Sequence, residues 1–141
     1  MGTNMTYRER RILENRLRLV GLRPTRQRVA IAKLLLDGRH RHISAESLSK
    51  EIRESGTQMA VGTIYNTLNQ FTDAGLLRRV TVHNEYSLFD TNVEQHHHFY
   101  DPDADCLIDI PSDQVVLDSL PDAPDGYEFK SIDVIINIRS R

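Results

Sequence analysis

The stretch AVGTIYNTLNQFTDAGLLRRVTV, residues 60–82, decides the fold. Its first part predicts a helix, because apolar residues recur at helical spacing until Gly75 supplies an end. After the glycine, apolar and polar residues alternate, and YSLF at residues 86–89 repeats that alternation beyond HNE at residues 83–85. Two alternating runs joined by a short polar connection predict a β-hairpin. The inner face of the helix is formed by Ile64, Leu68 and Phe71.

Three further helices are predicted upstream of this stretch. They cover residues 6–21, 25–38 and 44–56, with Thr25 and Ser44 as N-caps of the last two and a glycine at the end of each. Helices followed by a two-stranded hairpin are the order of a winged helix-turn-helix, in which the last helix reads the DNA. The sequence therefore predicts an N-terminal DNA-binding domain.

Charge is divided unevenly along the chain of 141 residues. Residues 1–82 carry 15 lysines and arginines against 7 acidic residues, whereas residues 83–141 carry 3 against 13. Of the 15 basic residues, 13 are arginines, whose planar fork suits phosphates and base edges. Such an imbalance can be a plain solvated surface, but it favours two modules with different partners, the basic one binding nucleic acid.

The predicted reading helix presents small and polar side chains in its N-terminal half. Hydroxyl and amide groups of this kind hydrogen-bond base edges or anchor phosphates. Tyr65 falls outside the apolar stripe and is expected at the surface. The alternative is a solvated helix with an incidental tyrosine. The candidate DNA contacts are Arg18, Arg26, Thr63, Tyr65 and Asn66, together with Arg78 and Arg79 on the predicted hairpin.

The C-terminal part of the chain has a different character. HHFYD at residues 97–101 and CLIDI at residues 106–110 predict short strands, residues 111–120 a helix, and residues 127–140 a long final strand. A unit this small buries little core and usually needs a metal or a second copy. The apolar run IDVIINI, residues 132–138, fits a strand buried on both faces, which favours a homodimer.

Cysteine content and hydropathy exclude several classes of protein. Cys106 is the one cysteine of the sequence, so no internal disulfide and no four-cysteine zinc site can form within a chain. No apolar run approaches the roughly 20 residues that span a bilayer, and the charged N-terminal residues lack the apolar core of a secretory signal. We predict a cytoplasmic protein with no membrane partner.

Three consecutive histidines, His96 to His98, are the most distinctive feature of the C-terminal part. On a strand, alternate side chains share a face, so His96 and His98 point one way and His97 the other. Two imidazoles with nearby carboxylates predict a site for a divalent metal. A polar strand face without a ligand is the alternative. The nearby carboxylates belong to Asp90, Asp101 and Asp109.

The runs LVGLRPTRQR, HISAESL and VGTIYNTLNQFTDAGLLRRV, with the spacing from Asp90 to the histidines, resemble the ferric uptake regulator family over about residues 13–139. The resemblance implies an α+β protein with an N-terminal winged helix-turn-helix domain, residues 1–89, and a small C-terminal α/β dimerisation domain, residues 90–141. It implies a homodimer that binds a double-stranded DNA operator. It also implies a site for Fe(II), Mn(II) or Zn(II), whose ligands are His42, Asp90, His96, His98 and Asp109.

Two departures from the family pattern narrow the resemblance. The first CxxC pair of the family falls at Asp101 and Ala104 and no second pair exists, so the structural zinc held by four cysteines is expected to be absent. A second metal site found in some members needs a histidine where Ile132 stands. With its three histidines, the chain is similar to the iron response regulator branch, whose members sense haem. This branch implies haem binding at His96, His97 and His98.

The expected function is an iron- or haem-responsive transcription regulator of iron-uptake and haem-synthesis genes. It would bind DNA when haem is scarce and release it when haem is abundant. One alternative is a repressor that responds to ferrous iron or manganese without haem. The others are a haem carrier or metal buffer, and a metal-dependent enzyme, against which no nucleophile or catalytic base motif is recognisable. We predict no catalytic residues.

Overall fold

The computed structural model describes residues 5–141 and divides into two compact units, Met1–Val93 and Glu94–Arg141. The sequence suggests a boundary before Asp90, which is instead the last residue of a strand in the first unit. Across residues 5–141, no helix combines the length and the apolarity that crossing a bilayer requires.

The first unit contains four helices and three strands, and the predicted succession of helices and hairpin is confirmed. Thr25 and Ser44 cap their helices as expected, each accepting a backbone N–H through its side-chain oxygen. A capping box at Thr6 starts the first helix. The elements are α1 (Tyr7–Leu19), α2 (Arg26–Leu35), β1 (His42–Ile43), α3 (Ala45–Glu54), α4 (Val61–Asp73), β2 (Arg78–His83) and β3 (Tyr86–Asp90).

The apolar stripes of the four helices meet in one core in the first unit. Leu17 of α1, Leu48 of α3 and Phe71 of α4 are completely buried there. Ile12, predicted on the inner face of α1, is instead 53% exposed. The inner face of α1 is narrower than expected, since only Leu13 and Leu17 of this helix are buried.

The sheet of the first unit has the order β1-β3-β2 and includes one strand that the sequence did not predict. β1 has only two residues, too few to show alternation, and it exists because it pairs antiparallel with β3. In this register Asp90 lies between His42 on β1 and Arg78 on β2. The pairing therefore brings residues together that are far apart in the sequence.

The second unit is a small sheet with the order β5-β4-β6. Its strands are β4 (His97–Asp101), β5 (Cys106–Ile110) and β6 (Ile135–Asn137), with β4 antiparallel to β5 and parallel to β6. Burial raises the pKa of Tyr100 on β4 to about 12, and its hydroxyl donates to Asp105 Oδ1 at 2.9 Å. The two strands predicted before residue 111 are confirmed.

Two predictions for the end of the chain are wrong. Residues 111–120 form one 3-10 turn, Ser112–Gln114, instead of a helix, and the last strand covers only Ile135–Asn137. Val116 is 82% exposed and Ile136 is 41% exposed, so neither segment buries its apolar side chains within the chain. A short helix without a surface to pack on is marginal, and β6 pairs along one edge alone, with β4.

Candidate metal centre and DNA interface

His42 and Asp90 form the first group of candidate ligands, here called the ligand pair. β1 and β3 pair with His42 directly opposite Asp90, so the two side chains lie on the same face of the sheet. His42 Nε2 lies 3.2 Å from Asp90 Oδ2. The first unit thus presents an imidazole nitrogen and a carboxylate oxygen side by side.

The carboxylate of Asp90 is fully buried and is held in one orientation. Its exposed fraction is 0%, and its Oδ1 accepts the backbone N–H of Asn92 at 2.9 Å. That bond leaves Oδ2 directed at His42. A buried carboxylate is costly unless it is paired or bound to a metal, so this position is built for a charged partner.

His96, His98 and Asp109 form the second group of candidate ligands, here called the ligand triad. His98 lies opposite Asp109 in the β4–β5 ladder. The Nε2 atoms of both histidines lie 3.3 Å from Asp109 Oδ1, and the ligand atoms of the triad are within 4.8 Å of one another. The second unit therefore gathers two nitrogen ligands and one oxygen ligand.

The hydrogen bond of His96 decides which of its nitrogens can bind a metal. Its Nδ1 lies 2.6 Å from the carbonyl oxygen of Glu94. A carbonyl oxygen can only accept, so Nδ1 carries the proton and Nε2 keeps its lone pair. That lone pair faces the Asp109 carboxylate, and the two repel unless a cation or a proton lies between them. The donor set of the triad therefore fits a divalent metal.

His97 lies apart from the ligand triad. Its Nδ1 accepts the backbone N–H of Val134 at 3.1 Å, which holds the ring toward the segment that leads into β6. The rings of His96 and His98 are 4.5 Å apart between centroids. This arrangement agrees with the predicted alternation, although β4 begins at His97 and His96 lies just before the strand.

Three candidate DNA contacts lie on α4. Tyr65 is 48% exposed and Asn66 is also exposed, whereas Thr63 is half-buried. The carbonyl oxygen of Thr63 accepts the hydroxyl of Thr67, which is buried on the opposite side. The first turns of α4 therefore present an aromatic ring and an amide on the surface.

Arg78 and Arg79 lie at the base of the hairpin, whereas its tip is formed by residues 83–86. Arg78 stands opposite Asp90 in the β2–β3 ladder. The guanidinium of Arg79 donates to Asn69 Oδ1 on α4 and lies 5.6 Å from the centroid of the Phe89 ring. Arg79 thus ties the hairpin to α4.

The remaining two candidate DNA contacts lie at helix ends. Arg18, in the last turn of α1, is exposed, and its Nη1 lies 3.5 Å from Asn15 Oδ1. Arg26 is the first residue of α2 and lines a cleft of about 460 Å³ together with Arg10. Both arginines are exposed to solvent and present positive charge on the first unit.

Asn69 and Gln70 hold α4 in place and were missed by sequence reasoning. Gln70 Oε1 accepts from Arg28 Nε at 3.3 Å and from Arg28 Nη2 at 3.1 Å, which joins α4 to α2. Asn69 accepts from the guanidinium of Arg79. In the sequence they are polar residues outside the apolar stripe, a pattern that fits free surface side chains equally well.

The geometry of this protein has a counterpart among known proteins. A family model described as the ferric uptake regulator family matches residues 19–138. The chain belongs to the ferric uptake regulator family. The ferric uptake regulation protein of Shigella flexneri is 35% identical over 101 residues, which cover 70% of this chain and 68% of that protein.

Solved structures of ferric uptake regulators share the fold. The regulator of Vibrio cholerae has a TM-score of 0.70 at 23% identity, covering 90% of this chain and 98% of its own. The regulator of Pseudomonas aeruginosa, solved with manganese, has a TM-score of 0.67 at 24% identity, covering 92% and 98%. The α+β fold, with a helical N-terminal domain and a C-terminal domain built on a sheet, is confirmed.

Membership of the ferric uptake regulator family settles the class of protein. Members are metal-responsive transcription regulators that bind DNA as dimers. The chain is therefore a metal-responsive transcription regulator, and the alternative of a metal-dependent enzyme is wrong.

Proposed function

We propose that this protein is a cytoplasmic, homodimeric regulator of iron-uptake genes whose affinity for a double-stranded operator depends on one divalent metal ion per chain. The ligand pair and the ligand triad would hold that ion together. The observation that carries the proposal is the convergence of three ligand atoms within 4.8 Å in the triad. Haem-synthesis genes are proposed as further targets.

The donor set supports a first-row divalent metal. Three imidazole nitrogens and two carboxylate oxygens are ligands that Fe(II), Mn(II) and Zn(II) accept. Backbone groups already orient two of the side chains, since Asn92 binds Asp90 and Glu94 binds His96. Such outer partners lower the cost of ordering the ligands when a metal binds.

The division of the ligands between two units supports a link between metal and DNA. His42 and Asp90 belong to the unit that contains α4, whereas the triad belongs to the other unit. Ligands drawn from both units would restrict their relative orientation and hence the separation of the two α4 helices in a dimer. Operator half-sites have a fixed spacing, so this separation determines affinity. Linkage then requires DNA and metal to strengthen each other's binding by the same factor.

The basic first unit supports DNA as the partner. We propose that α4 is the reading helix of a winged helix-turn-helix, with Tyr65 and Asn66 at base edges and Thr63 near the phosphates. Arginine is proposed to supply the contacts to the DNA backbone, which position the protein without reading sequence. These arginines are Arg18, Arg26, Arg78 and Arg79.

Saturating Mn(II) or Zn(II) is expected to tighten operator binding by roughly 5- to 150-fold, the usual range of coupling between two sites. Fluorescence anisotropy measures this with a labelled duplex selected from a random pool in the presence of metal. His40→Ala is a matched control, because His40 is exposed and near His42 in sequence but belongs to neither group. Equal affinity with and without metal would contradict the proposal.

Tyr65→Ala is expected to weaken specific binding by about 1–3 kcal/mol, the usual value of a good base contact. Binding to unrelated duplexes should change little, because phosphate contacts dominate it. Parallel anisotropy titrations on selected and scrambled duplexes separate the two quantities. Tyr7→Ala, which removes a tyrosine that is 75% exposed on α1, is the control. An equal loss on both duplexes would mean that Tyr65 does not read sequence.

A narrower form of the proposal makes haem the signal, as in the iron response regulator branch. It is motivated by the histidine triplet and the missing CxxC pairs. The three histidines are each 6% exposed or less, so an iron porphyrin would have to open the cluster and compete with the metal for His96 or His98. Haem added to the metal-loaded complex should then release DNA. Unchanged anisotropy at saturating haem would reject this form and leave the metal proposal intact.

A further inference from the structure

Arg41 precedes the ligand His42 and joins three parts of the first unit. Its backbone N–H donates to Thr91 Oγ1 at 2.8 Å, and its carbonyl oxygen accepts the N–H of Thr91 at 3.0 Å. Thr91 follows Asp90, so these bonds extend the pairing between the two ligands by one residue. The backbone of Arg41 is therefore fixed to the ligand pair.

The side chain of Arg41 reaches in the other direction, to the helices. Its Nη1 donates to Glu51 Oε1 at 3.1 Å and its Nη2 to Glu51 Oε2 at 2.5 Å. Glu51 lies on α3, the helix that packs against α4 in the core. Nη1 also lies 3.5 Å from the carbonyl oxygen of Leu34, near the end of α2. One side chain thus connects the ligand pair to two helices.

This ion pair differs from the other arginine–carboxylate pair nearby. The side chains of Arg41 and Glu51 are 25% and 33% exposed, and they meet through two parallel hydrogen bonds. Bidentate pairs of this kind are directional and hold their partners in one geometry. Arg39 and Asp37 also pair, at 2.7 Å, but the Arg39 side chain is 73% exposed and its partner lies only two residues away. Only the first of these two pairs joins separate elements.

We propose that Arg41 is a positioning residue that couples the ligand pair to the reading helix through Glu51 and α3. The inference rests on the proposed function, because it concerns the route by which metal occupancy changes DNA affinity. A shift of β1 upon metal binding would move the backbone of Arg41, and the bidentate bond would carry that movement to α3. The core contacts between α3 and α4 would then move α4. Arg41 contacts neither metal nor DNA in this scheme.

The test is the ratio of operator affinities without and with saturating Mn(II), measured on the full-length dimer. Arg41→Gln and Glu51→Gln should each reduce this ratio by about 2- to 30-fold, the range found for substitutions that modulate coupling between sites. Metal affinity in the absence of DNA should stay at its original value. Arg41→Glu combined with Glu51→Arg should restore part of the ratio, because the pair is rebuilt with its charges exchanged.

Arg39→Gln is the matched control, and its ratio should equal that of the unsubstituted protein. A ratio unchanged in both single variants, or affinities weakened equally with and without metal, would overturn the inference and leave a structural ion pair. If Arg41→Gln does not fold, Glu51→Gln and the exchanged pair provide the same comparison. A ratio of one in the unsubstituted protein would overturn the proposed function as well, which distinguishes the two failures.

Discussion

Replacing both His96 and His98 with alanine is expected to weaken divalent-metal binding by at least about 100-fold. Loss of a partner that merely orients a ligand already costs roughly 10- to 100-fold in metal affinity, and this double variant removes two ligands. Both Nε2 atoms lie 3.3 Å from Asp109 Oδ1, so the carboxylate would be left without either nitrogen. Titration against a competing chelator measures the affinity, and the metal-dependent gain in DNA affinity should disappear with it.

His97→Gln is the matched control for this double variant. His97 is as buried as His96, but its Nδ1 accepts a backbone N–H and its ring lies outside the triad. Its loss should leave metal affinity within about tenfold of the original, the lower limit for an indirect partner. Retention of full metal affinity by the double variant would show that the metal binds elsewhere. A loss at His97 equal to that of the double variant would contradict the division of the triplet between two faces.

Phe71→Ala is expected to lower the free energy of unfolding by about 3–5 kcal/mol, the usual cost of truncating a buried phenylalanine. Phe71 is 0% exposed and lies where the helices of the first unit meet. The cavity left behind would cost packing contacts in addition to the lost burial of the ring. Denaturation with guanidinium chloride, followed by circular dichroism, measures the change, and DNA binding should fail at temperatures where the original protein still binds.

Val61→Ala, on the same helix, is the control for that substitution. Val61 is 60% exposed, so its truncation should change stability by no more than about 0.5 kcal/mol. A similar loss in both variants would indicate that helix formation by α4, rather than core packing, limits stability. A negligible effect of Phe71→Ala would mean that the helices do not share the core described here.

Sequence reasoning succeeded where a structural feature depends on residues close together in the chain. The N-caps at Thr25 and Ser44 were predicted because a cap needs only its own side chain and the backbone a few residues on. The separation of His96 and His98 from His97 follows from the period of a strand. The same reasoning failed for residues 111–120, whose apolar side chains match a helix but find nothing to pack against within the chain.

The candidate site shows the same limit. Sequence resemblance nominated His42 and Asp90 as ligands, but no local pattern reveals that they are neighbours. Their proximity depends on the two-residue strand β1, whose pairing with β3 sets the register. The roles of Asn92, Glu94 and Glu51 were also invisible, since a backbone group or a charged surface residue carries no sign of its distant partner.

The amino-acid sequence by itself determined the helices of the first unit, their caps, the hairpin after Gly75 and the uneven charge, because each arises from spacing or composition along the chain. Only the tertiary structure decided which strands pair, and therefore that Asp90 stands beside His42 and Asp109 beside His98. The physical reason is that a strand satisfies its backbone hydrogen bonds with a partner elsewhere in the chain. Register is thus a property of two segments at once, and neither segment encodes it alone.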